Sequence, residues 1–299
     1  MSKTIRLCIL FAVLIPMLLF YSSCEDSLDI NEGQIWTPGD IMSMLQSEDI
    51  TQRSRIDSDN FKFVSNAGVI ITAEPNSFEF RDGGELVNGD IDFELLELFT
   101  KSQILQYGIP TQTTQGILES DGEFLFTASQ DDKPLRLANG KALNVQVPNS
   151  DPNNGMEFFT EGENLWWQDD SPFQILPNVG IDTFSGYEFT FDRLEWVNID
   201  YFTKFDLELT DISICAPEEY QGDKVQIWIV FQDFDIVLRS SGTNLPIGEV
   251  VSVVCIVADE DDNFRIDIQE VTIEEGLKVN LDPQLESADR IKELLKELD

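Results

Sequence analysis

Carboxylates are the only abundant side chains in this chain that could carry acid–base chemistry, because it holds 56 Asp and Glu and no histidine. Without imidazole there is no Ser-His-Asp or Cys-His nucleophile system, no histidine zinc site and no switch that titrates near neutrality. Neither a glycine-rich phosphate loop nor a Cys-x-x-Cys pair occurs. Two carboxylates about 5 to 9.5 Å apart across a cleft would suffice for glycoside hydrolysis. With so many acids, neighbouring pairs arise by chance and none stands out, so the expectation is a protein that is not an enzyme. Asp151-Pro152-Asn153-Asn154-Gly155 and the stretch from Asp259 to Asn263 cluster oxygens that could suit calcium. Both lack EF-hand spacing and a bidentate glutamate, so they read as turns; no metal and no cofactor is expected. Trp166 and Trp167 are adjacent, so on a strand they face opposite ways. One would enter a core, and the other could offer an aromatic platform to a sugar.

The remaining chemistry lies in four cysteines. Lys3 and Arg6 precede an apolar run from Leu7 to Phe20, which ends in Tyr21-Ser22-Ser23-Cys24 followed by Glu25 and Asp26. The run is shorter than the roughly 20 residues a bilayer-spanning helix needs, and its basic start and small-residue end read as a cleavable export signal over residues 1–23. The segment resembles a bacterial lipoprotein signal, with Tyr21 where that family usually has an aliphatic residue. The resemblance implies that Cys24 becomes the acylated first residue, carrying palmitate-type chains that hold the protein on a membrane. Acids so close to the anchor, Glu25, Asp26 and Asp29, resemble the surface-export signals of certain Gram-negative lineages, which implies an outer-membrane protein facing the cell exterior. Cys8 leaves with the signal. Cys215 and Cys255 remain in an oxidising compartment, each in an apolar β-like run, where a disulfide between them and two separate buried thiols both fit.

A formal charge of −37 bears on partners. Such a surface repels phosphate backbones and anionic head groups, so nucleic acid is not an expected partner, and any membrane attachment runs through the lipid anchor.

The elements that must position these residues are mostly strands. Residues 24–60 read as a polar tether, with a possible short helix opened by Asp40. From Phe61 the apolar period becomes two, as in Phe124, Phe126 and Ala128 or Leu143, Val145 and Val147. Asp82-Gly83-Gly84, Asn88-Gly89, Asp121-Gly122 and Asn139-Gly140 supply turn chemistry between the runs. The turn-rich, apolar-poor stretch from Pro148 to Gly155 predicts a boundary between a first β domain over 61–148 and a second over 156–282. In the second, alternating residues from Tyr187, Phe205, Val225 and Phe264 onward and the continuous run Val250 to Ala258 predict strands. Asp282-Pro283 predicts the start of an amphipathic helix over 283–299, with Ala288, Ile291, Leu295 and Leu298 on one face. The predicted fold is mainly β, two β-sandwich-like domains with a short C-terminal α-helix.

Within the first domain, Gly68-Val69-Ile70-Ile71, Pro75-Asn76-Ser77-Phe78, Gly89 to Leu95, Thr111 after Pro110, Leu118 to Phe124 and Val145-Gln146-Val147-Pro148 resemble a ZU5-type β-sandwich of bacterial envelope lipoproteins. The resemblance implies an interaction or coupling element without catalytic residues. Farther on, Arg193-Leu194-Glu195-Trp196-Val197-Asn198-Ile199-Asp200-Tyr201-Phe202 is similar to a segment recurring in such lipoproteins, matching at Arg193, Leu194, Trp196, Asn198, Asp200 and Phe202. On a strand, Trp196, Asn198, Asp200 and Phe202 share one face, and the expected role is a core aromatic followed by a polar corner. The function these readings imply is a non-catalytic, outer-membrane-anchored module at the cell surface that meets an envelope protein or a glycan. Its rival is a glycan-binding or glycan-cleaving surface protein.

Overall fold

A computed structural model of the chain describes residues 40–46, 50–162, 166–177, 184–217, 220, 225–239, 242–258 and 264–299. The fold is mainly β, in three large sheets. The first runs in the order Thr51–Asp57, Asp90–Leu98, Leu118–Gln130, Trp196–Phe202, Glu157–Glu161, Trp166–Gln168, all antiparallel. The second runs Phe173–Leu176, Gly186–Phe191, Leu143–Pro148, Ile70–Ala73, Lys62–Val64. The two pack face to face because each presents one apolar side: Phe93, Phe124, Phe126 and Phe158 meet Phe63, Val145, Phe189 and Phe191. This is the expected β-sandwich, and alternation of buried and exposed side chains along Leu143–Pro148 is what builds it.

Chain division differs from the expectation. Gly186–Phe191 pairs with Leu143–Pro148, and Trp196–Phe202 pairs with Leu118–Gln130, so the segment after Gly155 returns to the first sandwich. Pro148 to Gly155 is a crossing loop, not a domain boundary. Its side chains make Asx turns, with Asn149 Oδ1 accepting from the Asp151 N–H at 2.8 Å and Asn153 Oδ1 from the Gly155 N–H at 2.8 Å. The sheets divide later, between Phe202 and Leu209.

The third sheet runs Val237–Arg239, Val225–Phe231, Val250–Ala258, Phe264–Thr272, Gln284–Glu286. Its central run Val250–Ala258 is buried on both faces, which is why that segment is apolar without alternation. Ile229, Val253 and Cys255 face a core closed by Ile212, Ile214 and Val279, whereas Trp228, Val254 and Ile256 face the outer side of the first sheet. Leu96, Leu98, Leu118, Phe159 and Trp166 meet them there, so the first sheet is sandwiched on both sides.

Three helices complete this second core. α1, Asp40–Leu45, buries Met42 and Leu45 in it, and the following residues form the edge strand Thr51–Asp57, so the predicted tether does not extend to residue 60. α2, Lys101–Tyr107, starts in a capping box: Thr100 Oγ1 accepts from the Gln103 N–H, and the Gln103 side chain accepts from the Thr100 N–H. α3, Ala288–Lys296, buries Ile291 and Leu295. Its cap is Ser287, not Asp282, because Gln284–Glu286 is taken as an edge strand by Phe264–Thr272. Among the described residues no helix is long and apolar enough to cross a membrane.

Candidate functional site

The Leu118–Gln130 strand carries a β-bulge. Trp196, Val197, Asn198 and Ile199 stand opposite Leu125, Phe124, Glu123 and Gly122, but Asp200 stands opposite Ser120, which leaves Asp121 unpaired across the ladder. Strict alternation would put Ser120 and Glu123 on opposite faces. The extra residue puts both on the outer face of the sheet, with Asn198 and Asp200. Gly122 permits it with φ of 148°. Asp121-Gly122, expected as a turn between strands, is therefore a bulge inside one long strand.

The result is a polar inlay in an apolar layer. Ser120 Oγ donates to Asn198 Oδ1 at 3.1 Å and accepts from the Gly122 N–H, and Asn198 Nδ2 donates to Asp200 Oδ2 at 2.5 Å. Glu123, Asn198 and Asp200 have no exposed surface. Both carboxylate oxygens of Glu123 and Oδ1 of Asp200 find no hydrogen-bond partner. Burial pushes the Glu123 carboxyl well above its ordinary range, and Asp200 adds to the rise. Asp200 is raised well above its range by burial, against the hydrogen bond from Asn198. Sealed from solvent, the pair cannot act on a polymer in a cleft.

Around the bulge lies a ring of half-buried acids. Tyr187 Oη donates to Asp121 Oδ2, which also accepts from Asn149 Nδ2 at 3.0 Å, and Tyr201 Oη donates to Glu119. Burial raises Asp121 and Glu119, and raises Asp235, whose carbonyl accepts from the Ser120 N–H. Tyr187 and Tyr201 are both raised, by burial and by the carboxylates they bond.

A second feature opens to solvent. A groove of about 450 Å³ lies where the loop Asp192 to Glu195 meets the Lys133–Leu137 strand, lined among others by Glu79, Arg81, Arg136, Lys141 and Arg193. Four of the 19 cations of a strongly acidic chain gather here. Arg136 pairs with Glu79 at 2.7 Å, and Arg193 pairs with Asp169 at 2.7 Å, Glu195 at 2.9 Å and Asp192 at 3.3 Å while lying over the Phe191 ring. Every carboxylate lining the groove is therefore held by a guanidinium. The groove can bind, but it offers no free acid–base pair.

The residues singled out by sequence separate. Cys24 lies outside the described residues. Cys255 is a free thiol with no exposed surface, so it is not bridged to Cys215. The physical reason is alternation: along Ser213–Cys215 it is Ile214 that points into the core containing Cys255, and Cys215 points the other way. Burial pushes the Cys255 thiol up to about 12. Trp166 is 1% exposed, packed in the second core, and is no ligand platform; the Trp167 side chain lies outside the described ones. Of the matched segment, Trp196 and Phe202 pack against the second core, Asn198 and Asp200 form the inlay between them, and Arg193 builds the groove. Glu123 and Ser120 escaped sequence reasoning because Gly122 reads as turn chemistry. Among the described residues no three Cys, Asp or Glu side chains converge on one point as a metal cage. Comparison with protein-family models, curated proteins and solved structures finds no match.

Proposed function

We propose that this is a non-catalytic lipoprotein of the bacterial outer membrane, held by acyl chains on Cys24, displayed at the cell surface, and engaging an envelope protein or glycan through its groove. The observation that supports binding over catalysis is the groove itself: Arg81, Arg136, Lys141 and Arg193 gather in it, and its carboxylates Glu79, Asp192 and Glu195 are neutralised by arginine. The likeness of residues 66–148 to ZU5-type modules points the same way, towards coupling. The signal-like start and the acids after Cys24 support the address.

Metabolic labelling with an alkyne palmitate tests the anchor: the wild type carries label in the outer-membrane fraction, and Cys24→Ser carries none. An unlabelled wild type overturns the reading. Turnover of a glycan that is lost in Glu195→Gln would overturn its non-catalytic part and favour the glycan-cleaving rival.

A further inference from the structure

We infer that the oxygen cluster formed by Glu123, Asp200, Asn198 and Ser120 is a binding site for a divalent cation of calcium type. Three carboxylate oxygens, both of Glu123 and Oδ1 of Asp200, lie in side chains with no exposed surface and have no hydrogen-bond partner. Buried polar atoms in folded proteins are satisfied by protein, water or an ion, and a buried charge without a counter-charge is costly. Among the described residues no cation serves here. The charged group acting on Glu123 is Asp200, and those acting on Asp200 are Asp121 and Glu119, all of the same sign. Lys101, the buried ammonium nearby in the fold, donates to the carbonyls of Phe231 and Gln232, both at 3.0 Å, and acts on Asp235.

The donor set selects the ion. It contains oxygen only: two carboxylates, the Asn198 amide oxygen, which accepts a single hydrogen bond in the cluster and so keeps a lone pair, and the Ser120 hydroxyl. Hard oxygen donors suit calcium and magnesium rather than zinc or copper, and calcium tolerates the irregular geometry of two neighbouring strands better than magnesium does. Two carboxylates also neutralise one divalent cation, so the loaded cluster would enter the apolar layer without net charge. The bulge at Asp121 fits such a role, because without it Ser120 and Glu123 would not share a face.

The test uses the full chain in detergent, stripped with chelator and kept in about 0.15 M potassium chloride to screen its acidic surface. Calcium should raise the melting temperature saturably, by about 5 °C at a concentration a hundredfold above Kd. In the doubly substituted Glu123→Gln/Asp200→Asn protein the rise should vanish. No rise in the wild type overturns the proposal and leaves the pair holding a proton; an equal rise in both proteins overturns it as general screening. Should the double variant fail to fold, terbium decides: Trp196 shares the face with Asn198, so one equivalent of terbium per chain should give indole-sensitised emission that calcium displaces. Absence of that emission overturns the proposal.

Discussion

Asp200 stands opposite Ser120, one residue out of the register that sets Asn198 opposite Glu123. That offset decides which side chains of the Leu118–Gln130 strand enter which core. Beyond it Phe124, Phe126 and Ala128 fill the sandwich, and before it Leu118 turns to the opposite side and packs beneath the third sheet. One extra residue thus lets a single strand serve two hydrophobic layers, with a polar seam where it changes allegiance.

Gly122 makes the offset possible and should tolerate no side chain. Its φ of 148° is one that L-residues rarely adopt, and an added Cβ would lie 3.0 Å from ring atoms of both Phe124 and Phe99. Gly122→Ala should destabilise by about 1 to 3 kcal/mol. Chemical denaturation at equilibrium measures it, and an unchanged midpoint would show that the strand can pair without its bulge.

Glu97 predicts a pH dependence separate from the inlay. It is 5% exposed on Asp90–Leu98, accepts a hydrogen bond from Gln52 Nε2, and burial raises its carboxyl despite the bonds from Ser65 and Gln52. A carboxyl raised on folding holds its proton more tightly in the native state. Its contribution is therefore complete below the unfolded value near 4.5 and is lost as pH climbs through the raised native value. Glu97→Gln keeps an acceptor for Gln52 and removes the charge. The variant should gain stability relative to wild type as pH rises from 4 to 8, by about 1 kcal/mol or less. A difference between the two proteins that stays constant with pH would contradict the assignment.

Much of this fold was legible from residue pattern, and the failures share a cause. Leu143–Pro148 and Val250–Ala258 show their strands in their own composition, because burial on one face or on two leaves alternation or a continuous apolar run. Alternation alone puts Trp196, Asn198, Asp200 and Phe202 on one face, and Trp196 and Phe202 do both pack against the second core. Partner choice was not legible. Nothing local in Gly186–Phe191 says that it pairs with Leu143–Pro148 across the turn-rich loop, so the domain boundary was placed where the chain merely crosses. Local competition misled the helix ends as well: Asp282-Pro283 has good cap chemistry, but the edge of the third sheet claims Gln284–Glu286 and Ser287 becomes the cap. The inlay was hidden for a related reason, since a bulge glycine and a turn glycine look alike in sequence.

Cys255 should be inert towards thiol reagents in the folded protein. It sits between Ile227 and Asp267 on neighbouring strands, without exposed surface, and its thiol is pushed up to about 12 by burial, with Asp267 adding to the rise. The thiolate is the reactive form, so almost none is present at neutral pH. Titration with an aromatic disulfide reagent should leave this thiol unmodified until denaturant is added. Rapid modification of Cys255 in the native state, located by peptide mass, would show that the third sheet opens.

The tryptophans of the second core rank by depth, and their truncation should cost accordingly. Trp166 is 1% exposed and wedged into the layer shared by the first and third sheets, whereas Trp196 packs against the same layer while remaining partly exposed beside Leu125. Removing a fully buried indole takes away its transfer free energy and leaves a cavity, so Trp166→Ala should cost about 3 to 5 kcal/mol. At Trp196 solvent can fill part of the space and less apolar area is lost, which predicts about 2 kcal/mol. The loss at Trp196 should also be felt locally, because its indole flanks the inlay that begins at Asn198. Denaturation of both variants beside wild type gives the order directly. Equal costs would mean that Trp196 is as deeply anchored as Trp166, and no cost at Trp196 would return it to the surface as a residue kept for binding.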